Sequence, residues 1–248
     1  MPLITKPMPK LSIFIICKNE ERIIARCLEQ ASKLADEIIL IDSGSTDLTL
    51  AIAKQYTEKI YLNEWLGYGK QKNLALAKCS NEWVMSIDAD EVLTDDLIDE
   101  IKALDFVANS YQVARKLFIG DKFIRHGGYY PDYQLRLFKK SLGRFCDSEV
   151  HESVEMLETG EYSKKRSNYP KLKNPLNHYS YQNLKEMEES FTKFAMLSGK
   201  QKNLALALIN YLYSFVNKYF LRLGLLHGYT GLRLALIHAR YSYLKYCS

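Results

Sequence analysis

Cysteine, tryptophan and proline are scarce in this chain: five, two and six of 248 residues. The five cysteines (17, 27, 79, 146 and 247) form no Cys-x-x-Cys pair and keep no ligand-like spacing with histidine. That argues against a disulfide framework or a structural zinc and for a reducing compartment. No apolar run reaches the about 20 residues of a spanning helix. Residues 1–10 hold three prolines and no apolar core, so no secretory signal is expected. No Gly-x-Gly-x-x-Gly follows the first apolar run, and there is no Walker lysine loop. The common dinucleotide and P-loop sites are therefore out.

Acid is missing as well, but only from one end. Residues 1–159 carry 20 Lys and Arg against 25 Asp and Glu, whereas residues 160–248 carry 14 against 4. Beyond Glu189 there is no acidic residue, and those last 59 positions hold 8 Lys and Arg with 11 Phe and Tyr. Such a split points the second half at an anionic partner, membrane or nucleic acid. No nucleic-acid recognition module is present, which leaves the membrane.

What is there alternates. Leu11–Cys17 is a short apolar run of the kind buried on both faces of a sheet, and residues 20–34 repeat apolar positions at helical spacing. The pattern then reads strand 37–42, helix 47–56, strand 59–63, helix 70–79, strand 82–88 and helix 93–104. Alternation at this interval means parallel strands with crossover helices, whose ligands bind beyond the carboxyl ends of the strands. Asn19, Asp42 and Asp88 all fall there. From 111 to 154 the pattern gives short strands broken by glycines, 160–176 reads as a basic loop, and from Tyr181 the signal is helical.

Ser86-Ile-Asp-Ala-Asp-Glu91 ends the fourth strand. Residues two apart on an extended chain share a side, so Asp88 and Asp90 can face one point. Hard cations such as Mg²⁺ take oxygen ligands, usually together with substrate phosphates. An acidic turn at a helix start is the plainer use of the same residues. A phosphohydrolase of the Asp-x-Asp type would place its nucleophile on the first strand, not the fourth.

Four segments in order, Ser12–Glu21, Ile41–Asp47, Gly69–Asn73 and Ile87–Glu91, resemble the nucleotide-sugar domain of family 2 glycosyltransferases. Tyr130–Phe138 and Val150–Glu152 are similar to the bacterial branch that adds glucose to the inner-core heptose of lipopolysaccharide, the β-1,4-glucosyltransferases. The resemblance implies the α/β fold called GT-A, a Rossmann-like, mostly parallel sheet flanked by helices. Residues 1–180 would be catalytic, with 1–104 the nucleotide-sugar half and 105–180 the acceptor half. Residues 181–248 would form a basic, aromatic, helical, membrane-associating extension.

The resemblance also implies inverting transfer from a UDP-sugar and a divalent metal, Mg²⁺ or Mn²⁺. Asp90 would hold the metal, with Asp88 on the metal or the ribose and Ala89 between them. Asp42 would bond the base, while Cys17, Asn19 and Glu20 line the uridine end. Lys72 stands near the nucleotide, where the family often has Arg. Inversion needs a carboxylate to deprotonate the acceptor. Among Asp132, Asp147, Glu149 and Glu152, Glu152 is favoured and Asp132 is second. Gln134 and Arg136 share a polar strand face that could meet diphosphate or an acceptor phosphate, and a plain salt bridge is the alternative for Arg136. His178 is a candidate metal ligand or a structural hydrogen-bonding group, and His126 is equally open.

In the tail, Asn203, Asn210 and Asn217 recur every seven residues beside a wide apolar face, and Arg222, Arg233 and Arg240 would share a stripe on a continuous helix. That suits a helix lying in an anionic membrane interface. Packing on the catalytic domain or homodimerisation is the alternative. The functional expectation is an enzyme on the cytoplasmic face of the inner membrane with a lipid-linked oligosaccharide acceptor. An inactive GT-A-fold scaffold is the reading from another class.

Overall fold

The apolar run Leu11–Cys17 forms β1, and every residue of it is buried. Leu11, Ile13, Ile15 and Cys17 pack into one core with Ile24, Cys27, Leu28 and Ala31 of helix α1 (Ile24–Ser32). Phe14 and Ile16 pack into a second core with Ala75 and Leu76 of α3 (Tyr68–Lys78). This is why the strand reads as unbroken apolar sequence: both its faces are covered. Each of the buried Leu, Ile and Phe side chains among them is worth about 1.5–3 kcal/mol over exposure.

The computed structural model describes residues 7–146, 153–163, 169–197 and 203–247. Strand β1 pairs in parallel with β2 (Glu37–Asp42) and β4 (Trp83–Asp88), and β2 pairs in parallel with β3 (Ile60–Leu62). The short helix α2 (Thr49–Ala53) lies between β2 and β3 in sequence. After β4 come β5 (Glu91–Val92), α4 (Asp95–Lys102), β6 (Ser110–Ile119), β7 (Lys122–Phe123) and β8 (Asp132–Lys139), the last antiparallel to β4. The hydroxyl of Thr94 caps α4 by accepting from the Leu97 amide, and Asp95 and Asp96 occupy its first turn.

Strands β9 (Gly143–Phe145), β10 (Val154–Glu158) and β11 (Glu161–Ser163) form a separate sheet. The main sheet has the order β3-β2-β1-β4-β8-β6-β12-β5, where β12 is Leu176–Tyr181 and β7 pairs with β6. Mixed α/β architecture is as expected. Strand β12 is not: the sequence reads as loop up to 176 and helix from 181, because Leu-Asn-His-Tyr-Ser-Tyr lacks apolar alternation.

The chain divides into two units. The first runs through Arg115 and resumes from Tyr133 to Asn177; the second takes Lys116–Asp132 and everything from His178. The helical region thus begins at His178 and recruits a segment from mid-chain, where the sequence placed one boundary near 181. Its helices are α5 (Leu184–Leu197), α6 (Leu204–Val216) and α7 (Tyr229–Leu244), built around Ile119, Ile124, Met187 and Leu234. Among the described residues no helix is long and apolar enough to cross a membrane.

Candidate active site

Parallel register brings three strand ends level: Cys17 pairs with Asp42, and Ile16 with Asp88. Two side-chain groups stand at that edge, both within the first unit.

One group zips the loop after β1 to the loop after β2. Asn19 takes a left-handed φ of 57°, and its Oδ1 accepts from the Thr46 amide at 2.8 Å while its own amide donates to Ser45 Oγ at 2.9 Å. The Glu20 amide donates to Thr49 Oγ1 at 2.7 Å. Asp42 is fully buried; its Oδ2 accepts from the Gly44 and Ser45 amides, and its Oδ1 from Ser45 Oγ and Cys17 Sγ. Two carboxylate oxygens offer about four accepting positions, and the turn fills them. Asp42 therefore shapes its own loop, so a direct bond to a base would have to displace one of these donors. Burial first, and then the Asp42 charge, push the Cys17 thiol well up, keeping it a neutral donor.

The other group is ionic. Lys72 Nζ lies 2.7 Å from Asp88 Oδ1, and Arg136 Nη2 lies 2.8 Å from Asp88 Oδ2. Arg136 also pairs with Glu91, which holds Arg115 at 3.3 Å and accepts from the Asp88 amide at 3.0 Å. Lys72 is 2% exposed, Arg136 5% and Glu91 0%. Charges this deep persist only when paired. Burial alone would raise the Asp88 carboxyl, but Arg136 and Lys72 beside it hold it well below the usual carboxylate range.

Local structure sets each partner. Lys72 comes from the buried face of α3; next to it Asn73 clamps Phe145 of β9 through both the amide and the carbonyl, at 2.8 and 2.9 Å. The Lys72 ammonium lies 5.7 Å from the Phe145 ring centre. Arg136 arrives because β8 runs back antiparallel beside β4. The sequence offered Arg136 as phosphate ligand or salt bridge, and the geometry supplies the salt bridge at the strand end where a ligand would come. Glu91 and Arg115 carried no role in the sequence reading. The one available signal was an acid immediately after Asp90, at the start of an apolar stretch.

The other predicted residues are dispersed. Ala89 is buried in the first core. Gln134 is half-buried on β8, and Asp132 opens that strand within the second unit. His178 is in the second unit, hydrogen-bonded to Ser180 Oγ. His126 lies in that unit too, its ring centre 5.3 Å from that of His227. Glu152, with His151, Asp147 and Glu149, lies outside the described residues.

The model of glycosyl transferase family 2 matches residues 12–152. The chain belongs to that family. An uncharacterised glycosyltransferase of Rickettsia typhi is 32% identical, the match covering 96% of this chain and 86% of the relative. The lipopolysaccharide core biosynthesis glycosyltransferase LpsC of Rhizobium meliloti is 35% identical over 60% of this chain and 58% of its own length. Among solved structures, S. aureus TarS residues 1–349 align at a TM-score of 0.49 and 16% identity, over 96% of this chain and 89% of that one.

A metal can be tested against the family 2 site. Among the described residues no group of three or more His, Cys, Asp or Glu could hold a metal ion, and Asp88 is already neutralised by two cations. Among the described residues the donor set therefore does not suit an ion caged by protein alone. It fits one that brings phosphate and water as further ligands, as Mg²⁺ sites with one or two carboxylates do. Asp90, with Asp88, would hold it.

Proposed function

We propose that this family 2 glycosyltransferase is an inverting enzyme that moves a hexose, glucose by the resemblance of its later segments, from UDP to a lipid-linked saccharide. It would act at the cytoplasmic face of the inner membrane. The observation that carries the reading is the Lys72–Asp88–Arg136–Glu91 cluster at the carboxyl ends of parallel strands, the edge where α/β folds bind ligands. The name of the Rhizobium relative supports a lipopolysaccharide core saccharide as acceptor.

As the bond from sugar to UDP breaks, negative charge grows on the diphosphate, and preorganised cations in a water-poor site stabilise it. A bound divalent ion supplies Lewis-acid stabilisation of the same charge. Arg136 is shared between two carboxylates, so it keeps Glu91 as counterion when Asp88 turns to a ligand. Lys72 likewise can pass from Asp88 to the diphosphate. The zipped loops around Asn19 and Glu20 would face the uridine. A carboxylate, Glu152 first and Asp132 second, takes the proton of the acceptor hydroxyl. The oxygen then attacks the anomeric carbon opposite UDP, which inverts it.

Calorimetric titration with UDP tests the donor site. Affinity is expected to rise with Mn²⁺ by about tenfold or more, near 1.4 kcal/mol, and Asp90→Ala should lose that gain. If neither chelation nor Asp90→Ala changes affinity, the metal–diphosphate assignment fails. For the base, Glu152→Gln should abolish transfer while UDP binding persists; near-normal turnover would move the role to Asp132.

A further inference from the structure

The second unit leaves one face of its C-terminal hairpin apolar and open. On α6 only Ala207 is buried, while Leu204, Leu208 and Leu212 stack at four-residue spacing and are 62%, 52% and 62% exposed. The turn that follows adds Phe220, Leu221 and Leu226, all more than half exposed. Large apolar side chains exposed this densely over one short segment mark an interaction site more often than scattered single ones do.

The asparagines of this segment each find a partner close by in the chain. Asn203 caps the helix by accepting from the Leu206 amide, Asn210 donates back to the Leu206 carbonyl at 2.7 Å, and Asn217 donates to the Tyr213 hydroxyl. Each asparagine of the seven-residue ridge thus has one bond within its own segment, which lowers the cost of a low-dielectric neighbour.

The arginine stripe is only partly compensated. Arg233 and Arg240 of α7 both pair with Glu188 of α5, at 3.2 and 2.6 Å, and their side chains stay 39% and 55% exposed. One carboxylate thus offsets one of the two charges, and Arg222 lies in the turn before α7 rather than on one continuous helix with them. Of the other cations in the described part of the acid-free tail, Lys193 and Arg222 are exposed, while Lys218 lies over the Tyr129 ring and Lys245 over that of Tyr241. A second copy docked face to face would bring one acid-poor, cationic tail against another. Anionic lipid headgroups complement them.

We propose that α6 and the turn after it lie in the headgroup–acyl boundary of a lipid bilayer, held chiefly by apolar insertion, with the leftover cations only biasing it toward anionic lipid. This deepens the membrane placement proposed above and is independent of the donor chemistry. The sequence suggested docking by a wide apolar face together with a basic stripe; the exposed leucines of α6 and the sharing of Glu188 between two arginines put most of the weight on the apolar part, hence a weak dependence on salt.

The test is co-sedimentation of the full chain with phosphatidylcholine vesicles, with and without phosphatidylglycerol, at about 50 and about 500 mM salt, a range that shrinks the Debye length severalfold. Wild type should bind vesicles containing phosphatidylglycerol at both salts, losing less than about tenfold in affinity, a difference of one decade in Kd. The combined Leu208→Asp, Leu212→Asp and Leu221→Asp variant should lose more than that at either salt, with far-UV helical ellipticity unchanged as the control for folding of the second unit. Three results overturn the proposal: complete release of wild type at high salt, vesicle binding by the variant equal to wild type, or no vesicle binding together with a dimer that the variant abolishes. Normal vesicle binding with no UDP binding would instead leave this inference standing and sink the donor-site reading.

Discussion

A Glu91→Gln substitution keeps the side chain's shape and its acceptor for the Asp88 amide but removes its charge. Arg136 and Arg115 then lose the carboxylate they share, and Glu91 is the fully buried member of the cluster. Breaking a buried pair from one side costs about 3–5 kcal/mol, because the other charge is left uncompensated. Asp88→Asn should cost less, since the Asp88 side chain is 26% exposed, Arg136 retains Glu91, and the new amide oxygen can still accept from the Lys72 ammonium. Urea unfolding of the two variants checks the order; equal or reversed losses would show that Glu91 is not the anchor. Lys72, Asp88 and Arg136 were each singled out in the sequence, as a helix residue near the nucleotide, an acid at a strand end and a cation on a polar strand face. Their mutual pairing was not, because it depends on β8 returning antiparallel to β4, a contact 48 positions apart that no local period encodes. Asp42 illustrates the opposite limit. Asp-Ser-Gly-Ser is a turn that side-chain oxygens commonly close on themselves, and that local use fills the carboxylate before any ligand arrives.

Among elements, the parallel core was legible because both-face burial writes an unmistakable apolar run. Strand β12 was not, since it exists through neighbours on both sides, β6 and β5, rather than through its own pattern. The glycines at 224, 228 and 231 marked a break in the tail helix. Its form is a π-helical turn at Asn217–Leu221, a tight turn at Gly224–His227, and then α7. The reason for Gly231 is close approach. A Cβ there would stand 1.8 Å from the Gly224 carbonyl oxygen and 2.8 Å from its carbon. Gly231→Ala must therefore push the turn off α7, at about 1–3 kcal/mol or more for overpacking against backbone. At Gly228 the added Cβ meets nothing within 4 Å, so its cost is only the left-handed φ of 57°, on the order of 1 kcal/mol. Thermal unfolding followed by far-UV circular dichroism should rank Gly231→Ala well below Gly228→Ala. The reverse order would mean that the turn is free to move away from α7.

At the scale of the whole molecule, the two units carry buried titratable groups that fail at different pH. In the second unit, burial and then the charge of Lys218 pull His238 down to about 3, and burial with neighbouring cations lowers His227 as well. A histidine held neutral in the fold binds its proton more readily when unfolded. Stability therefore falls as pH drops below the ordinary histidine value near 6.5 and stops falling near 3; at pH 5 the loss from His238 is about 2 kcal/mol. In the first unit, burial opposes ionisation of Glu37, but bonds from Lys59, Ser12 and Ser80 outweigh it and draw the carboxyl down to about 2. Here the anion is the form the fold favours, so its contribution is intact above about 4.5 and is lost only as pH falls from there toward 2. Trp65 and Trp83 both lie in the first unit, whereas α5, α6 and α7 belong to the second. An acid titration should therefore lose helical ellipticity beginning below pH of about 6, before tryptophan emission shifts below about 4.5, because each signal follows the unit whose group titrates first. His238→Phe should move the ellipticity transition down toward the fluorescence one and leave the latter in place. A single transition in both signals, unmoved by that substitution, would show that neither group governs acid stability and that the two units unfold as one.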